Sequence, residues 1–133
     1  MAAVAKAKNI GKEFSNQVVM ERVTYDFAVD GGATGALDLF TANGDIVLKS
    51  FHAYVKTACT SGGAATVIIG VTGTTNAFVD TTAGAVANLT LNAVLGTAIT
   101  PRRLPSGSTV LMTIGTAALT AGKIEVVVEY CKA

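Results

Sequence analysis

The sequence predicts an all-β protein, an antiparallel, jelly-roll-like β-sandwich with an extended N-terminal arm. Roughly seven to nine short segments alternate apolar and polar residues or are apolar throughout, and turn residues separate them about every ten positions. Long amphipathic helical patterns are absent, which disfavours an α/β fold. The 133 residues suit one domain, and we expect an arm over residues 1–17 and a single sandwich over residues 18–133.

The N-terminal segment differs in composition from the rest of the chain. It is rich in alanine and carries three lysines against one glutamate. A terminus with so little apolar surface frays unless another surface holds it, so we expect it to lie on a neighbouring chain. Its lysines are too few for a nucleic-acid tail and suit an acidic protein patch. The candidate contact residues here are Lys6, Lys8, Lys12 and Phe14.

The first strands follow this arm. Strict alternation over residues 23–29 places four apolar residues on one face and predicts a strand. A glycine-rich loop over residues 30–36 and a short strand over residues 37–40 come next. Asn43–Gly44 then predicts a tight turn, because this dipeptide accepts positive φ angles.

The next segments predict a long strand and a buried one. Alternation over residues 46–58 predicts a strand, and its slip near Lys49–Ser50 predicts a β-bulge. A glycine turn over residues 60–64 follows. The segment at 65–71 is apolar on both faces, which is typical of a central strand.

The remaining elements are shorter, apart from the last. We expect short strands at Phe78–Asp80 and Leu89–Leu91 and a surface connection or edge strand over residues 100–108, which contain both prolines. Residues 109–115 and 123–130 predict the last two strands, and their separation suits an antiparallel hairpin.

The composition indicates where the apolar surplus is buried. Half of the residues are hydrophobic, 14% are charged and the mean hydropathy is +0.51, against about 25% charged residues in a typical soluble domain. Apolar runs are strand-length, well short of the ~20 residues of a spanning helix, and the N-terminus lacks the apolar core of a signal peptide. We therefore expect no membrane partner and a homo-oligomer or assembly component. A net charge of +1 gives no field that attracts nucleic acid.

Catalytic chemistry has little support in the sequence. The single histidine, His52, lacks an evident nucleophile or further ligands, so a structural or interface role is expected. Aspartates in or near loops are explained by turns and caps, and the glycine stretches lack the Gly-Lys-Ser/Thr of a phosphate-binding loop. We predict no enzyme activity, no metal and no cofactor. The aspartates are Asp30, Asp38, Asp45 and Asp80.

Two further features concern cysteine and arginine. Cys59 and Cys131 lie in a chain without a secretion signal and are expected to be reduced thiols, with a disulfide as the alternative. Arg102 and Arg103 lie in the proline-flanked loop. They are candidate contact residues for a carboxylate-rich groove on a partner, because arginine makes forked hydrogen bonds. The alternative is a solvated loop.

Two stretches resemble known proteins. The closing "LTAG" turn followed by "KIEVVVEY", and "ANGDIVLKSFHAYVKTA" with the following "TVIIGVTGTTNAF", resemble small virion proteins of tailed bacteriophages. Size and β content look most like head decoration, or cement, proteins. The resemblance implies a dimer or trimer that binds the major capsid protein on the outer surface of the head and is made in the host cytoplasm.

Two other functions are alternatives. A tail, baseplate or fibre component of a phage would also use a small β domain with an arm. A carbohydrate-binding sandwich would need exposed aromatic side chains, but the chain has no tryptophan. Its three tyrosines fit core alternation at least as well; they are Tyr25, Tyr54 and Tyr130.

Overall fold

The computed structural model describes residues 8–10 by their backbone alone, and residues 18–96 and 101–133 in full. These parts of the chain form ten strands, one short helical turn and one 3-10 turn. The strands are β1 (Lys8–Ile10), β2 (Val19–Asp26), β3 (Gly35–Ala42), β4 (Ile46–Ser61), β5 (Thr66–Val71), β6 (Thr74–Val79), β7 (Val94–Leu95), β8 (Arg102–Leu104), β9 (Thr109–Gly115) and β10 (Leu119–Lys132), with α1 at Phe27–Asp30 and the 3-10 turn at Val86–Asn88.

The strands form two sheets packed face to face. Sheet A has the order β1-β3-β9-β5-β6, and sheet B has the order β2-β10-β4-β7, with β8 also paired to β4. From β2 to β10, consecutive strands lie in different sheets, except that β5 and β6 share sheet A and that β7 and β8 share sheet B. This alternation is the jelly-roll topology, so the predicted all-β sandwich is confirmed. Pairs between described strands are antiparallel except β1 with β3, which is parallel.

Strand β10 is the centre of sheet B. It pairs with β2 on one side and with β4 on the other. Its residues at every second position, from Ile124 to Tyr130, face the core and are at most 1% exposed. Burying one such side chain contributes roughly 1.5–3 kcal/mol gross, which explains why the most strongly patterned segment becomes the best-paired strand.

Several local predictions are confirmed. The register of β4 on β10 shifts between Ser50 and Leu48, so Lys49 is the extra residue of the predicted bulge. Gly44 has a φ of 103°, as the predicted turn requires. Strand β5 lies inside sheet A between β9 and β6, and β8 is the predicted edge strand.

The predicted strand over residues 23–29 is wrong at its C-terminal half. Strand β2 ends at Asp26, whose carboxylate accepts a hydrogen bond from the Ala28 N–H at 3.0 Å. The Asp30 carboxylate accepts from the Asp26 N–H at 3.0 Å. These local caps favour the helical turn α1 over continued alternation, and Val29 is left 73% exposed.

Two other predicted elements are also wrong. Strands β9 and β10 do not form a hairpin, because β9 joins sheet A and β10 joins sheet B. The connection turns at Thr116, which has a φ of 68°. The segment Leu89–Leu91 is not a strand: Leu89 is fully buried, but it follows directly after the 3-10 turn, and its carbonyl accepts a single hydrogen bond from the Cys59 N–H of β4 at 3.0 Å.

The N-terminal segment is described only in part. Lys8–Ile10 forms β1 beside Phe40–Ala42 of the same chain, and the rest of residues 1–17 lies outside the described residues. The division into an arm and a sandwich at residues 17 and 18 stays a prediction. In the described parts of the chain, no helix is long and apolar enough to cross a membrane.

Candidate interaction surfaces

One end of the sandwich is held together by the turn between β3 and β4. The Asp45 carboxylate accepts from Arg103 Nη2 at 2.6 Å and from the Ser106 N–H at 2.9 Å. The Gly44 N–H donates to Ser106 Oγ at 3.1 Å. The loop after β8 is therefore fixed to the turn by side chains. Of the two arginines that the sequence singled out, Arg103 has a partner within its own chain.

The fold brings two of the predicted contact regions to this same end. Strand β1, which contains Lys8, pairs with the last residues of β3, and β8 pairs with the first residues of β4. Arg102 lies opposite Leu48 and is half-buried, whereas the Arg103 side chain is 60% exposed. The other predicted contact residues lie outside the described residues; they are Lys6, Lys12 and Phe14.

The outward face of sheet B carries an ion-pair cluster that the sequence did not reveal. Arg22 Nη1 lies 3.2 Å from Glu125 Oε1, and Lys56 Nζ lies 3.2 Å from Glu125 Oε2. The Glu125 side chain is 11% exposed, whereas those of Arg22 and Lys56 are 62% and 52% exposed. A buried carboxylate therefore holds two cations whose ends reach solvent. We call these three residues the Glu125 cluster.

Apolar side chains surround the Glu125 cluster. Val127 is outward-facing between Arg22 of β2 and His52 of β4, yet it is only 2% exposed. The His52 ring contacts the Tyr54 ring edge to face at 5.0 Å between centroids. Met20 and Val94 are about half exposed. This outward face therefore combines fixed charges with accessible apolar surface.

The outward face of sheet A has a different composition. Among β3, β5, β6 and β9, Asp38 is the single charged residue. Thr41 lies opposite Thr109, and Thr113 lies opposite Ile68, so β-branched residues cover much of the face. The large hydrophobic side chains classed as exposed in the described chain all lie outside these four strands.

A shallow depression of about 270 Å³ lies beside α1. Its polar side chains are Thr57 and the ion pair between Lys123 Nζ and Asp26 Oδ2, at 3.5 Å. Asp26 already caps α1. The residues here accordingly stabilise the helical turn and its contact with β10.

The aspartates singled out in the sequence have structural partners in three cases. Asp30 and Asp45 accept the backbone hydrogen bonds given above, and Asp80 accepts from the N–H groups of Thr82 and Ala83 at 3.0 and 2.9 Å. Asp38 lies within β3 rather than in a loop. Among the residues that the structure describes, no three histidine, cysteine, aspartate or glutamate residues group as metal ligands would.

Cys59 and Cys131 are free thiols, as expected. Cys59 is buried against Gly122, where an added β-carbon would lie 2.5 Å from its Sγ. This burial raises the pKa of the Cys59 thiol to about 11. Burial, with smaller contributions from Cys59 and two aspartates, raises the pKa of Tyr25 to about 12, so both groups stay protonated at neutral pH.

The residues of the Glu125 cluster were not predicted from the sequence. Arg22 and Glu125 are 103 positions apart, and Lys56 and Glu125 are 69 apart, so no local motif joins them. The alternation of β10 does place Glu125, Val127 and Glu129 on its outward side. The valine between two glutamates on that side is the one local signal that something covers part of this face.

Comparison with known proteins identifies a shared fold. No protein-family model matches the chain, and no curated protein matches it. A chain of the cyanophage Pam1 capsid asymmetric unit aligns with a TM-score of 0.66 and 17% identity, over 92% of this chain and 90% of that chain. A chain of the acid-stable capsid of the Helicobacter pylori bacteriophage KHP30 aligns with a TM-score of 0.61 and 15% identity, over 86% of each chain. The chain is thus similar in fold to chains found in phage capsids.

Proposed function

We propose that this protein is a structural subunit of a bacteriophage virion, and specifically a decoration subunit that binds the outside of the head and bridges capsid subunits. The observation that carries the proposal is the jelly-roll fold, shared over about nine-tenths of the chain with a chain of a phage capsid. The role is structural and non-enzymatic. Its partners are the major capsid protein and further copies of the chain, as a dimer or trimer on the capsid surface.

The composition supports a protein that functions by contact. A decoration subunit binds a repeated surface, so modest contacts at each site are multiplied when one subunit spans several sites. The low charge content and the apolar surplus suit surface that is buried in an assembly. The sandwich end fixed by Asp45 offers a rigid body for such a bridge.

The carbohydrate-binding alternative has less support. Tyr25 is fully buried and Tyr130 is 1% exposed, so both belong to the core. Tyr54 is the one tyrosine with an exposed ring, at 37%. A single exposed tyrosine does not form the aromatic platform that a sugar ring needs.

The test is reconstitution on heads. Shells are assembled from the major capsid protein encoded in the same genome, mixed with this protein, and imaged. We expect density for the sandwich on the outer surface of the shell at symmetry-related positions. The variant lacking residues 1–17 should lose attachment while its sandwich stays folded, as circular dichroism would show.

Three results would contradict parts of the proposal. Labelled protein found at the tail tip of the particle would favour the tail component instead. Full attachment by the truncated variant would remove the role of the arm. Absence of the wild-type protein from both heads and tails would overturn the virion function altogether.

A further inference from the structure

We propose that the outward face of sheet B, centred on the Glu125 cluster, is the surface that docks onto the capsid shell, and that it recognises apolar side chains flanked by carboxylates. This inference rests on the proposed function and names the surface that performs it. It adds a docking face to the sequence-based expectation, which placed the contacts on the arm and on the loop of Arg102 and Arg103, and it gives that loop no part in docking.

The charged side chains of this face are preorganised. Glu125 is nearly buried and accepts from both cations at 3.2 Å, so the flexible side chains of Arg22 and Lys56 are already held in place. Ordering them costs less on binding than ordering free side chains. Glu125 lies below the surface, and the positive ends of Arg22 and Lys56 lie above it. Glu129 adds a carboxylate on the outward side of β10, but strands β2, β4, β8 and β10 together carry seven cations and four anions, so the sheet is net positive.

Accessible apolar side chains lie on the same face as these charges. Met20 is 54% exposed, Val94 is 50% exposed and Tyr54 is 37% exposed, and all three lie on strands of sheet B. Interface residues that dominate binding energy are enriched in tyrosine and arginine and lie where water is excluded. Val127 lies at the middle of this face and is only 2% exposed, so water is already excluded from the centre of the face.

The charge of this face favours an acidic partner over a second copy. Two copies docked face to face through sheet B would bring two net positive surfaces together, which repels. Arg103 is paired as well, with Asp45 of its own chain at 2.6 Å, but no large hydrophobic residue of β8 or of the loop after it is exposed. Strands β3, β5, β6 and β9 of sheet A contain one charged residue, Asp38, which is an anion. An acidic partner surface therefore fits sheet B best.

The experiment measures binding to the reconstituted shells by cosedimentation at low and moderate salt. We expect the double variant Arg22→Ala/Lys56→Ala to bind at least about tenfold more weakly than the wild type. Its affinity should also depend less on salt, because the removed charges are the ones that salt screens. Tyr54→Ala should weaken binding by a similar factor while the salt dependence stays as in the wild type.

The matched controls are Arg103→Ala, which removes a paired cation at the sandwich end, and Asp38→Asn on sheet A. Both should bind as the wild type does, and unchanged thermal midpoints would show that all variants are folded. Wild-type affinity in the double variant would overturn this inference and leave the proposed function standing. A loss of self-association alone, seen by sedimentation equilibrium, would assign the face to a second copy and also overturn it. Wild-type protein that binds no shells would overturn both.

Discussion

The two sheets of this sandwich share one core but present different outward faces. Strands β3, β5, β6 and β9 of sheet A contain a single charged residue, Asp38. Strands β2, β4, β8 and β10 of sheet B contain many, with both signs close together. Those of sheet B are Glu21, Arg22, Asp26, Lys49, Lys56, Arg102, Arg103, Lys123, Glu125, Glu129 and Lys132.

The two faces differ in how much apolar surface they leave exposed. Sheet A leaves little, and sheet B leaves more. On sheet A, threonines and the backbone of β6 cover the face: Gly70 of β5 lies directly under the carbonyl of Thr74 in β6. Sheet B leaves Met20, Tyr54 and Val94 accessible and surrounds them with fixed charges. A face that covers itself needs no partner, whereas apolar groups beside ordered charges are typical of a binding surface.

The largest expected effect on stability tests whether strand β6 covers the outward face of sheet A. In Gly70→Ala the new β-carbon would overlap the Thr74 carbonyl, so β6 must move away from β5. We expect the free energy of unfolding to fall by about 3 kcal/mol or more, measured by urea denaturation. The control Gly62→Ala places its β-carbon in open space and should change stability by less than about 0.5 kcal/mol. Equal effects of the two changes would mean that β6 does not cover this face.

An intermediate effect on stability is expected at alkaline pH, and it comes from two buried groups of sheet B. Cys59 and Tyr25 lie in β4 and β2. Above the ordinary thiol pKa of 9.0 the unfolded chain releases the Cys59 proton, whereas the folded chain keeps it until about pH 11. Stability should therefore be complete below pH 9 and fall by about 2 kcal/mol between pH 9 and 11. Burial of Tyr25 extends the loss towards pH 12.

Urea midpoints between pH 7 and 11 measure this loss. In Cys59→Ala the decline should begin about one pH unit later, since the ordinary pKa of the tyrosine is 10.0. Cys131→Ala, which replaces the half-buried thiol, should decline as the wild type does. If Cys59→Ala follows the wild-type curve, the thiol is not the group that titrates.

The smallest effects come from a matched pair of acid-to-amide changes, one on each face. Glu125→Gln removes the negative charge that Arg22 and Lys56 contact and should cost about 1 kcal/mol, because both cations are partly exposed. Asp38→Asn on sheet A should change stability by less than about 0.5 kcal/mol. Thermal unfolding at low salt compares the two. A larger cost for Asp38→Asn would reverse the assignment of the structured charge to sheet B.

Local features of the fold were predictable from the sequence. The bulge at Lys49, the turn at Gly44 and the buried strand β5 all follow from alternation or from turn residues a few positions apart. Strand β2 shows the limit of alternation, because the carboxylates of Asp26 and Asp30 cap a helical turn where the apolar pattern still favours a strand. Caps of this kind depend on side-chain hydrogen bonds that periodicity does not record.

The candidate site was less predictable. Clusters of like charge, such as Arg102–Arg103, are visible in a sequence, but one of these arginines contacts Asp45 of its own chain. The Glu125 cluster joins three strands that are adjacent only in the folded sheet. Its residues look like ordinary surface charges until β10 is placed between β2 and β4.

Alternation and turn residues were enough to predict the class of fold, because a period of two and a turn each depend on residues a few positions apart. The placement of β9 and β10 in different sheets is seen only in the folded protein, since strand pairing depends on the burial of both inner faces at once. The same holds for the outward face that brings Arg22, Lys56 and Glu125 together, because charges distant in sequence pair only when the sheet order brings them within hydrogen-bonding distance.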